Sequence, residues 1–316
     1  MSCCQSRCDK DIAALMAASG ACHWGIARSG TVDEQELTAY SRWISEGNAA
    51  GMDYLSRNEG IRSNPANLLE GTKSVISAAF VYGDKDSDPK LPIASYALGK
   101  DYHFVLKERL RQVVELFESR GEKARICVDS APLAERYWAV KAGVGRIGMN
   151  CQIYVPGAGC KVFLVTILTT AELEESGRSD GKSYFREGCR NCRKCVAICP
   201  TGALKGNGTI DSRLCLNYLT IEHRGELPEG TDLHGSLFGC ERCIDICPAP
   251  RSKPTAIEDL APDPRVLELD VQTLNSMSSS AFNRKFRFSP LSRAGLKGLQ
   301  RNLMKIGKKM ANHQGK

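Results

Sequence analysis

Residues 189–200 read CRNCRKCVAICP, and residues 240–248 read CERCIDICP. The first stretch has the C-x2-C-x2-C-x3-C-P spacing of bacterial ferredoxins, in which three thiolates bind one [4Fe-4S] cluster and the fourth binds a second one. Cys215, between the two stretches, completes a set of eight cysteines. The spacing therefore predicts two clusters, one with ligands Cys189, Cys192, Cys195 and Cys247, and one with ligands Cys199, Cys215, Cys240 and Cys243.

Structural zinc and disulfides are the alternative interpretations of these cysteines. Paired C-x2-C knuckles also give tetrahedral zinc sites, but each knuckle then supplies two cysteines, not three followed by Cys-Pro. The N-terminus reads MSCCQSRCDK and lacks the apolar core of a signal peptide. We therefore expect a cytoplasmic protein, in which disulfides are rare, and we favour redox clusters over both alternatives.

The chain has 316 residues, of which 42% are hydrophobic, and its length suggests about two domains. Residues 1–180 alternate strand-like and helix-like patterns, which predicts an α/β or α+β domain. Residues 181–250 form the predicted ferredoxin-like module, and residues 251–316 form a linker and a basic helical tail. We predict strands at 74–82, 124–128 and 162–169, and helices at 101–120, at 132–142 and from about 291 onward.

Positive charge is concentrated at the end of the chain. The net charge is +7, but residues 271–316 contain ten Lys or Arg and no acidic residue, which leaves the first 270 residues at −3. The predicted last helix places basic residues every four positions, at Arg293, Lys297, Arg301 and Lys305. An ordinary solvated face is the alternative, but the absence of acids favours a surface that follows RNA phosphates. No apolar run is long enough to span a bilayer, so we expect no membrane contact.

Several further motifs occur in a fixed order along residues 50–302. They are MDYL at 52–55, KSVIS at 73–77, DYH at 101–103, VDSAP at 128–132, CLNYLTIE at 215–222, FGCERCIDICP at 238–248 and FRFSPLSRAGLKGLQRN at 286–302. With the cysteine pattern, this order resembles the epoxyqueuosine reductase family, the cobalamin-dependent iron–sulfur enzymes of tRNA queuosine synthesis. The chain departs from the family at residues 145–150, where GRIGMN stands in place of G-W-x-G-K-N. We expect no helical-repeat extension of the kind that some members carry.

The resemblance implies a cobalamin-binding domain related to flavin-reductase-like folds, joined to the ferredoxin-like module. It implies reduction of epoxyqueuosine to queuosine at the wobble position of tRNA. Asp129 is the implied proton donor, and we expect burial to raise its pKa, because a carboxylic acid needs a raised pKa to donate a proton at neutral pH. The alternative is that Asp129 caps a helix that opens at Pro132. His103 receives no assigned role.

The resemblance also implies the residues that contact cobalamin and tRNA. The implied cobalamin residues are Arg57, Tyr96, Asp129, Asn150, Asn217, Cys240 and Glu241. Asn217 and Glu241 lie within two residues of cluster ligands, so hydrogen bonding to cluster sulfurs is an equal alternative for both. Arg224 joins the four basic residues of the tail as a predicted tRNA contact. We expect a monomer that receives electrons from a donor such as flavodoxin or ferredoxin.

Three functions are therefore compared. The first is a cobalamin-dependent tRNA-modifying reductase, and the second is a reductive dehalogenase-like enzyme with the same cofactors. The third is an electron carrier without catalysis of its own. The basic tail favours the first over the second. The roughly 180 residues before the cysteines are more than a carrier needs, which disfavours the third.

Overall fold

The computed structural model describes residues 2–82, 88–176, 185–248 and 256–313, with side chains described between residues 10 and 307. Its strands are β1 (His23–Arg28), β2 (Ser74–Val81), β3 (Ala124–Cys127), β4 (Arg146–Ile147), β5 (Ile153–Tyr154) and β6 (Val162–Thr169). Its α-helices are α1 (Ser2–Ser19), α2 (Glu34–Ser45), α3 (Asp53–Arg57), α4 (Glu59–Arg62), α5 (Tyr102–Arg109), α6 (Arg111–Glu118), α7 (Glu135–Lys141), α8 (Cys189–Cys192), α9 (Lys194–Ala197), α10 (Arg242–Asp245), α11 (Pro264–Leu267), α12 (Val271–Ser276), α13 (Ser279–Phe286) and α14 (Gly295–His313). Short 3-10 helices span Pro65–Asn67, Ser95–Ala97, Glu258–Leu260 and Pro290–Arg293, and a π-helix spans Tyr218–Glu222.

A four-stranded antiparallel sheet, in the order β1-β2-β6-β3, forms the centre of the first domain. All eight residues of β2 are buried, because helices cover both faces of the sheet. Trp138 of α7 packs on one face, and Phe117 of α6 packs with Met16 of α1 on the other. The mixed α and β class and the strands β2, β3 and β6 are confirmed, whereas the short strand β1 was not predicted.

Two predicted helices have different bounds in the structure. The helix expected at 101–120 is divided into α5 and α6 at Leu110, whose φ of −100° and ψ of 2° leave helical geometry. The helix expected to open at Pro132 begins at Glu135, and Ala134 is its N-cap residue. Residues 128–134 are therefore an irregular loop between β3 and α7, which we name the Asp129 loop.

The C-terminal segment shares a hydrophobic core with earlier parts of the chain. Phe282, Leu291 and Leu299 pack with Leu98 and with Phe238 of the cysteine module. The last helix begins at Gly295, not at 291, because residues 290–293 form a 3-10 turn. Among the residues described, no helix combines the length and apolar character required to cross a membrane.

Candidate active site

The Asp129 loop presents a carboxylate in an open cleft. Asp129 has a φ of 51°, a left-handed conformation that residues other than glycine rarely adopt. Its side chain is 65% exposed. The Tyr102 hydroxyl donates a hydrogen bond to Asp129 Oδ2 at 2.8 Å, and His103 Nε2 lies 3.5 Å from the same oxygen. Unusual backbone geometry that holds a polar group beside other polar side chains is typical of active sites.

The structure excludes the helix-cap interpretation of Asp129. Helix α7 starts six residues later, at Glu135, and its N-cap residue is Ala134. The Asp129 carboxylate instead bonds to Tyr102 on α5, a different helix. Its position is therefore set by tertiary contacts and not by the start of a helix.

The electrostatics of the cleft keep a proton on His103 and not on Asp129. Burial among neighbouring groups acts to raise the pKa of Asp129, but the hydrogen bonds from His103 and Tyr102 outweigh it and lower the pKa. Burial acts to lower the pKa of His103, yet the carboxylates of Asp101 and Asp129 raise it to about 9. The expectation of a raised Asp129 pKa is therefore wrong, because an imidazolium and a phenol stabilise the carboxylate.

Glu135 holds the backbone of the Asp129 loop. Its Oε1 accepts a hydrogen bond from the N–H of Asp129 at 2.8 Å, which supports the left-handed conformation of that residue. Burial, together with the negative charge of Asp129, raises the pKa of Glu135 to about 8. Near neutral pH, Glu135 is therefore protonated in most molecules, and its carbonyl oxygen still accepts the bond.

A ladder of aromatic rings connects this cleft to the cysteine module. The Tyr102 and Phe163 rings stack with centroids 4.1 Å apart, and Phe163 lies 4.5 Å from the Tyr82 ring. Tyr82 then contacts Tyr96 edge-to-face at 6.1 Å. Rings packed in this way are stiff, so the ladder sets the position of Asp129 relative to the module.

Tyr96 and Asn217 join the first domain to a cysteine. The Tyr96 hydroxyl donates to Asn217 Oδ1 at 3.2 Å, and the same oxygen accepts from the Cys240 N–H at 2.8 Å. Burial, followed by the negative charges of Glu241, Cys215 and Asp129, raises the pKa of Tyr96. The predicted residues Tyr96, Asp129, Asn217 and Cys240 are thus brought to one surface.

Glu241 is buried in a separate polar network beneath this surface. The Tyr82 hydroxyl donates to its Oε1 at 3.0 Å, and the Ser95 N–H donates to its Oε2. Lys161 Nζ lies 3.9 Å from Glu241 and 2.9 Å from Asp245. Glu241 therefore anchors α10, which carries Cys243, to the first domain.

The assignment of the eight module cysteines to two clusters stays a prediction, and the structure describes their surroundings. One cavity is lined by Cys189, Cys192, Cys195 and Cys247, and also by Asn150 and Arg186. In the other group, burial and the neighbouring Cys240 and Cys199 raise the pKa of Cys215, and burial with Cys240 and Cys215 raises that of Cys243. Within the described ranges, no three His, Cys, Asp or Glu side chains are arranged around a single metal ion. Four cysteine thiols that line one cavity are the donor set that an iron–sulfur cluster requires.

Asn150 and Arg57 differ in their relation to this site. The Asn150 amide is buried and donates to the Cys243 carbonyl at 3.2 Å, so it joins the first domain to the module. Arg57 is exposed at the end of α3. In the described part of the chain, no hydrogen bond or ion pair connects it to another predicted cobalamin residue.

The predicted tRNA-binding arginines make contacts within the protein. Arg293 forms two 2.7 Å bonds with Glu222, and Arg224 donates to the Arg293 carbonyl at 2.8 Å. Arg301 donates to the carbonyls of Leu219, His223 and Gly225. The last helix does not include Arg293, which lies in the 3-10 helix before α14, and Arg301 anchors the π-helix. The contact of these residues with tRNA stays a prediction. Lys297 is exposed on α14, and Lys305 is half-buried there.

Several residues of the site were not assigned from the sequence. Tyr102 and His103 lie in the DYH motif, but the sequence indicated no catalytic role for either residue. The Tyr54 ring lies 5.9 Å from the Arg293 guanidinium and within electrostatic reach of Asp129. Glu135 gave no signal in the sequence, because its role depends on the shape of the Asp129 loop.

The comparisons with known proteins agree with this geometry. Residues 188–250 match the family described as 4Fe-4S double cluster binding domain. Residues 62–130 match the family described as Epoxyqueuosine reductase QueG, DUF1730. The fold and the cysteine module therefore define an iron–sulfur oxidoreductase.

Similarity over most of the chain defines the family. The chain is 37% identical over 290 residues to the epoxyqueuosine reductase of Cyclobacterium marinum, which covers 88% of this chain and 90% of that protein. A crystal structure of epoxyqueuosine reductase with an epoxyqueuosine-modified tRNA-Tyr stem loop has a TM-score of 0.83 at 26% identity, covering 95% of this chain and 81% of that one. A Bacillus subtilis epoxyqueuosine reductase whose catalytic aspartate loop is swung out of the active site has a TM-score of 0.80 at 26% identity, with the same coverage. This chain belongs to the epoxyqueuosine reductase family.

Proposed function

We propose that this protein reduces epoxyqueuosine to queuosine at the wobble position of tRNA, with two [4Fe-4S] clusters and cobalamin as cofactors. The family assignment and the likeness to a reductase solved with an epoxyqueuosine-modified stem loop support the substrate. The observation that carries the proposal is the chain of contacts from Asp129 through Tyr102 and Tyr96 to Cys240. It connects a proton-bearing cleft to a group of redox cysteines.

The two cysteine groups form the proposed electron path. The group that contains Cys215 and Cys240 lies beside Tyr96, so its cluster is the one nearer Asp129. The charge of Cys195 acts on Cys243, so the two groups adjoin and electrons cross a short distance. A donor such as flavodoxin or ferredoxin reduces the cluster of Cys189, and the cluster of Cys240 delivers the electrons to the active site.

The surface between Asp129 and Cys240 fits cobalamin through its donor set. The Tyr96 hydroxyl, the Asn217 amide and the Asp129 carboxylate offer hydrogen-bonding partners for the amide groups around a corrin ring. Asn150 and Glu241 hold the adjoining cysteine group in place, and Arg57 is assigned by resemblance alone. When bound, cobalamin supplies a strongly reducing cobalt centre. A flavin-reductase-like architecture of the first domain is part of the same proposal.

His103 and Asp129 together supply the proton. Removal of the epoxide oxygen as water consumes two electrons, which the clusters deliver, and two protons, of which His103 and Asp129 supply one and solvent supplies the other. Asp101 Oδ1 lies 2.7 Å from His103 Nδ1, which orients Nε2 toward Asp129 Oδ2. The imidazolium holds the proton at rest, and the Asp129 carboxylate passes it to the departing oxygen. The aspartate loop of the Bacillus subtilis enzyme, described as catalytic, supports the role of Asp129.

The RNA surface in this proposal combines free lysines with arginines that hold the surface in shape. Lys297 is exposed for phosphate contact, and Lys305 lies two turns further along α14. Arg224, Arg293 and Arg301 fix the segment around the π-helix against α14. Substitution of these arginines would therefore change both the shape and the charge of the RNA surface.

Anaerobic reconstitution tests the proposed function. The purified protein is loaded with iron, sulfide and cobalamin, reduced with dithionite, and incubated with an epoxyqueuosine-modified stem loop. We expect about eight iron atoms per chain for two [4Fe-4S] clusters, a corrinoid absorption spectrum, and queuosine in the nucleoside digest. Zinc in place of iron, or unchanged epoxyqueuosine with fully loaded protein, would contradict the proposal.

A further inference from the structure

Two phenylalanine rings are exposed next to the active site. Phe104 on α5 is 56% exposed, and Phe288, which follows α13, is 50% exposed. Their rings contact each other edge-to-face, with centroids 5.4 Å apart. Single exposed apolar residues are ordinary on protein surfaces, but a pair of large rings in mutual contact is a feature of interaction sites.

The backbone holds this pair beside the proton-bearing cleft. The Asp101 N–H donates to the Phe288 carbonyl at 2.7 Å, and the Asp101 side chain caps α5 by accepting the His103 N–H. Phe104 directly follows His103, whose ring reaches Asp129. Phe104 therefore follows directly, on α5, the residue whose ring reaches Asp129, and Phe288 is held against Asp101, two residues before His103.

Basic side chains surround the two rings. The Arg287 guanidinium lies 5.0 Å from the centre of the Phe288 ring, and Lys107 is exposed one turn along α5 from Phe104. The carboxylates in the adjoining groove, Glu108 and Glu115, pair with Arg111. Because Arg111 offsets only one of these two negative charges, the positive charge beside the rings comes from Arg287 and Lys107.

We propose that Phe104, Phe288, Arg287 and Lys107, which we name the aromatic patch, bind an unpaired nucleotide of the tRNA anticodon loop adjacent to the modified base. This inference rests on the proposed function and adds the surface that recognises the loop. An exposed ring stacks on any base, and the adjacent cations contact the phosphates on either side.

A protein electron donor is the competing occupant, and the position of the patch disfavours it. The patch lies beside His103 on α5, whose ring reaches Asp129, the proposed proton donor. The cavity of the outer cysteine group is lined by Tyr154, Arg186 and Arg193, and by no residue of the patch. A donor must approach that outer group to reduce it, whereas the tRNA must approach Asp129.

Stem-loop binding by variants of the reconstituted holoenzyme tests the inference. Phe104→Ala with Phe288→Ala removes the stacking rings, and we expect the dissociation constant for an epoxyqueuosine-modified anticodon stem loop to rise about 5- to 100-fold. Phe288→Trp keeps a stacking surface and is expected to bind within about threefold of wild type. Val271→Ala, which truncates a 49% exposed residue on α12, is the matched control and leaves binding unchanged. Iron content and the thermal unfolding midpoint report that each variant is folded.

Salt dependence separates the charges of the patch from its rings. Arg287→Gln is expected to make the plot of log K against log salt shallower by about 0.7, the contribution of one phosphate contact on a single strand. The double alanine variant keeps the wild-type slope. If Arg287→Gln and the double alanine variant changed the salt-dependence slope equally, the charges and the rings of the patch would not have separate roles.

Three outcomes overturn the inference in distinguishable ways. If the double alanine variant is active and binds the stem loop with wild-type affinity, the aromatic patch does not bind the tRNA, and the proposed function is unaffected. Unchanged RNA binding with slower reduction of the clusters by flavodoxin assigns the patch to a protein donor. Failure of the fully loaded wild type to bind or reduce the stem loop overturns both the patch and the proposed function.

Discussion

The cysteine module and the Asp129 loop differ in how their residues obtain their chemical properties. In the module, the spacing of the cysteines predicts each one as a cluster ligand, and four of them line one cavity. In the loop, the pKa of Asp129 depends on His103 and Tyr102, and its backbone depends on Glu135. The module therefore repeats one residue type at fixed spacing, whereas the loop depends on different residue types that set one another's pKa values and positions.

This difference predicts different responses to substitution. Removal of one donor from a four-ligand site removes the site. Removal of one member of a hydrogen-bonded set changes the pKa values and positions of the others, so the losses are graded. The following substitutions probe this contrast in order of decreasing effect.

Cys240→Ala is expected to have the largest effect. The variant loses a ligand of the cluster nearer the active site, so about half of the iron is lost and activity falls to background. Iron and sulfide analysis and nucleoside digestion measure the two results. Cys22→Ala, a half-buried cysteine outside the module, is the control and keeps full iron. Full iron content in Cys240→Ala would show that Cys240 is not a cluster ligand.

Asp129→Asn is expected to lower the turnover number about 10²- to 10⁴-fold while both clusters stay intact. The amide keeps the shape of the side chain and can still accept the Tyr102 hydrogen bond, but it cannot transfer a proton. Single-turnover assays with loaded protein measure the rate, and iron analysis checks the clusters. Near wild-type turnover would show that another group protonates the departing oxygen.

His103→Gln is expected to lower activity about 10- to 100-fold at neutral pH and to change the pH profile. The pKa of His103 is raised to about 9 by Asp101 and Asp129, so wild-type activity falls as the pH rises through about 9 and the imidazolium loses its proton. The variant has no proton to lose and lacks this decline. Turnover between pH 6.5 and 10 measures the profile, and a decline that persists in the variant would assign it to a group other than His103.

Glu135→Gln is expected to have the smallest effect on activity, within about threefold, because the amide oxygen still accepts the Asp129 N–H. The pKa of Glu135 is about 8 when folded and about 4.3 when unfolded. The folded state binds more protons between these values, so ionisation of Glu135 costs stability progressively as the pH rises from about 4.3 to about 8.

The variant avoids this cost, and its stability gain over wild type is expected to be larger at pH 8.5 than at pH 6. Thermal unfolding at the two pH values measures the difference. Glu34→Gln, at an exposed glutamate of α2, is the matched control and is expected to change the stability by the same small amount at both pH values. Glu135→Ala removes the acceptor, and an unchanged turnover in that variant would show that the loop holds its shape without Glu135.

The regions also differ in how much of them was predictable. Local spacing was sufficient to predict an iron–sulfur module, which residues 188–250 match as a family, and the structure places four of its cysteines around one cavity. Strands β2 and β6 were equally easy to predict. Helices cover both faces of the sheet, so both strands are long apolar runs in the sequence. The break between α5 and α6 at Leu110 and the start of α7 at Glu135 were not predicted, because packing and loop geometry decide them.

The basic tail shows where charge patterning misleads. Arg293 and Arg301 recur at the spacing of an exposed helical face, yet one pairs with Glu222 and the other binds backbone carbonyls of the π-helix. Sequence spacing records which residues share a face of a helix, but not which partners a folded chain brings to that face.

The sequence by itself determined the iron–sulfur module, the family and the location of Asp129, since ligand spacing and ordered motifs are local properties of the chain. Only the tertiary structure decided the protonation of the cleft, because His103, Asp129 and Glu135 come from separate segments whose mutual distances set their pKa values. Only the fold, likewise, brought Phe104 and Phe288 together, across 184 positions of sequence, into one exposed pair.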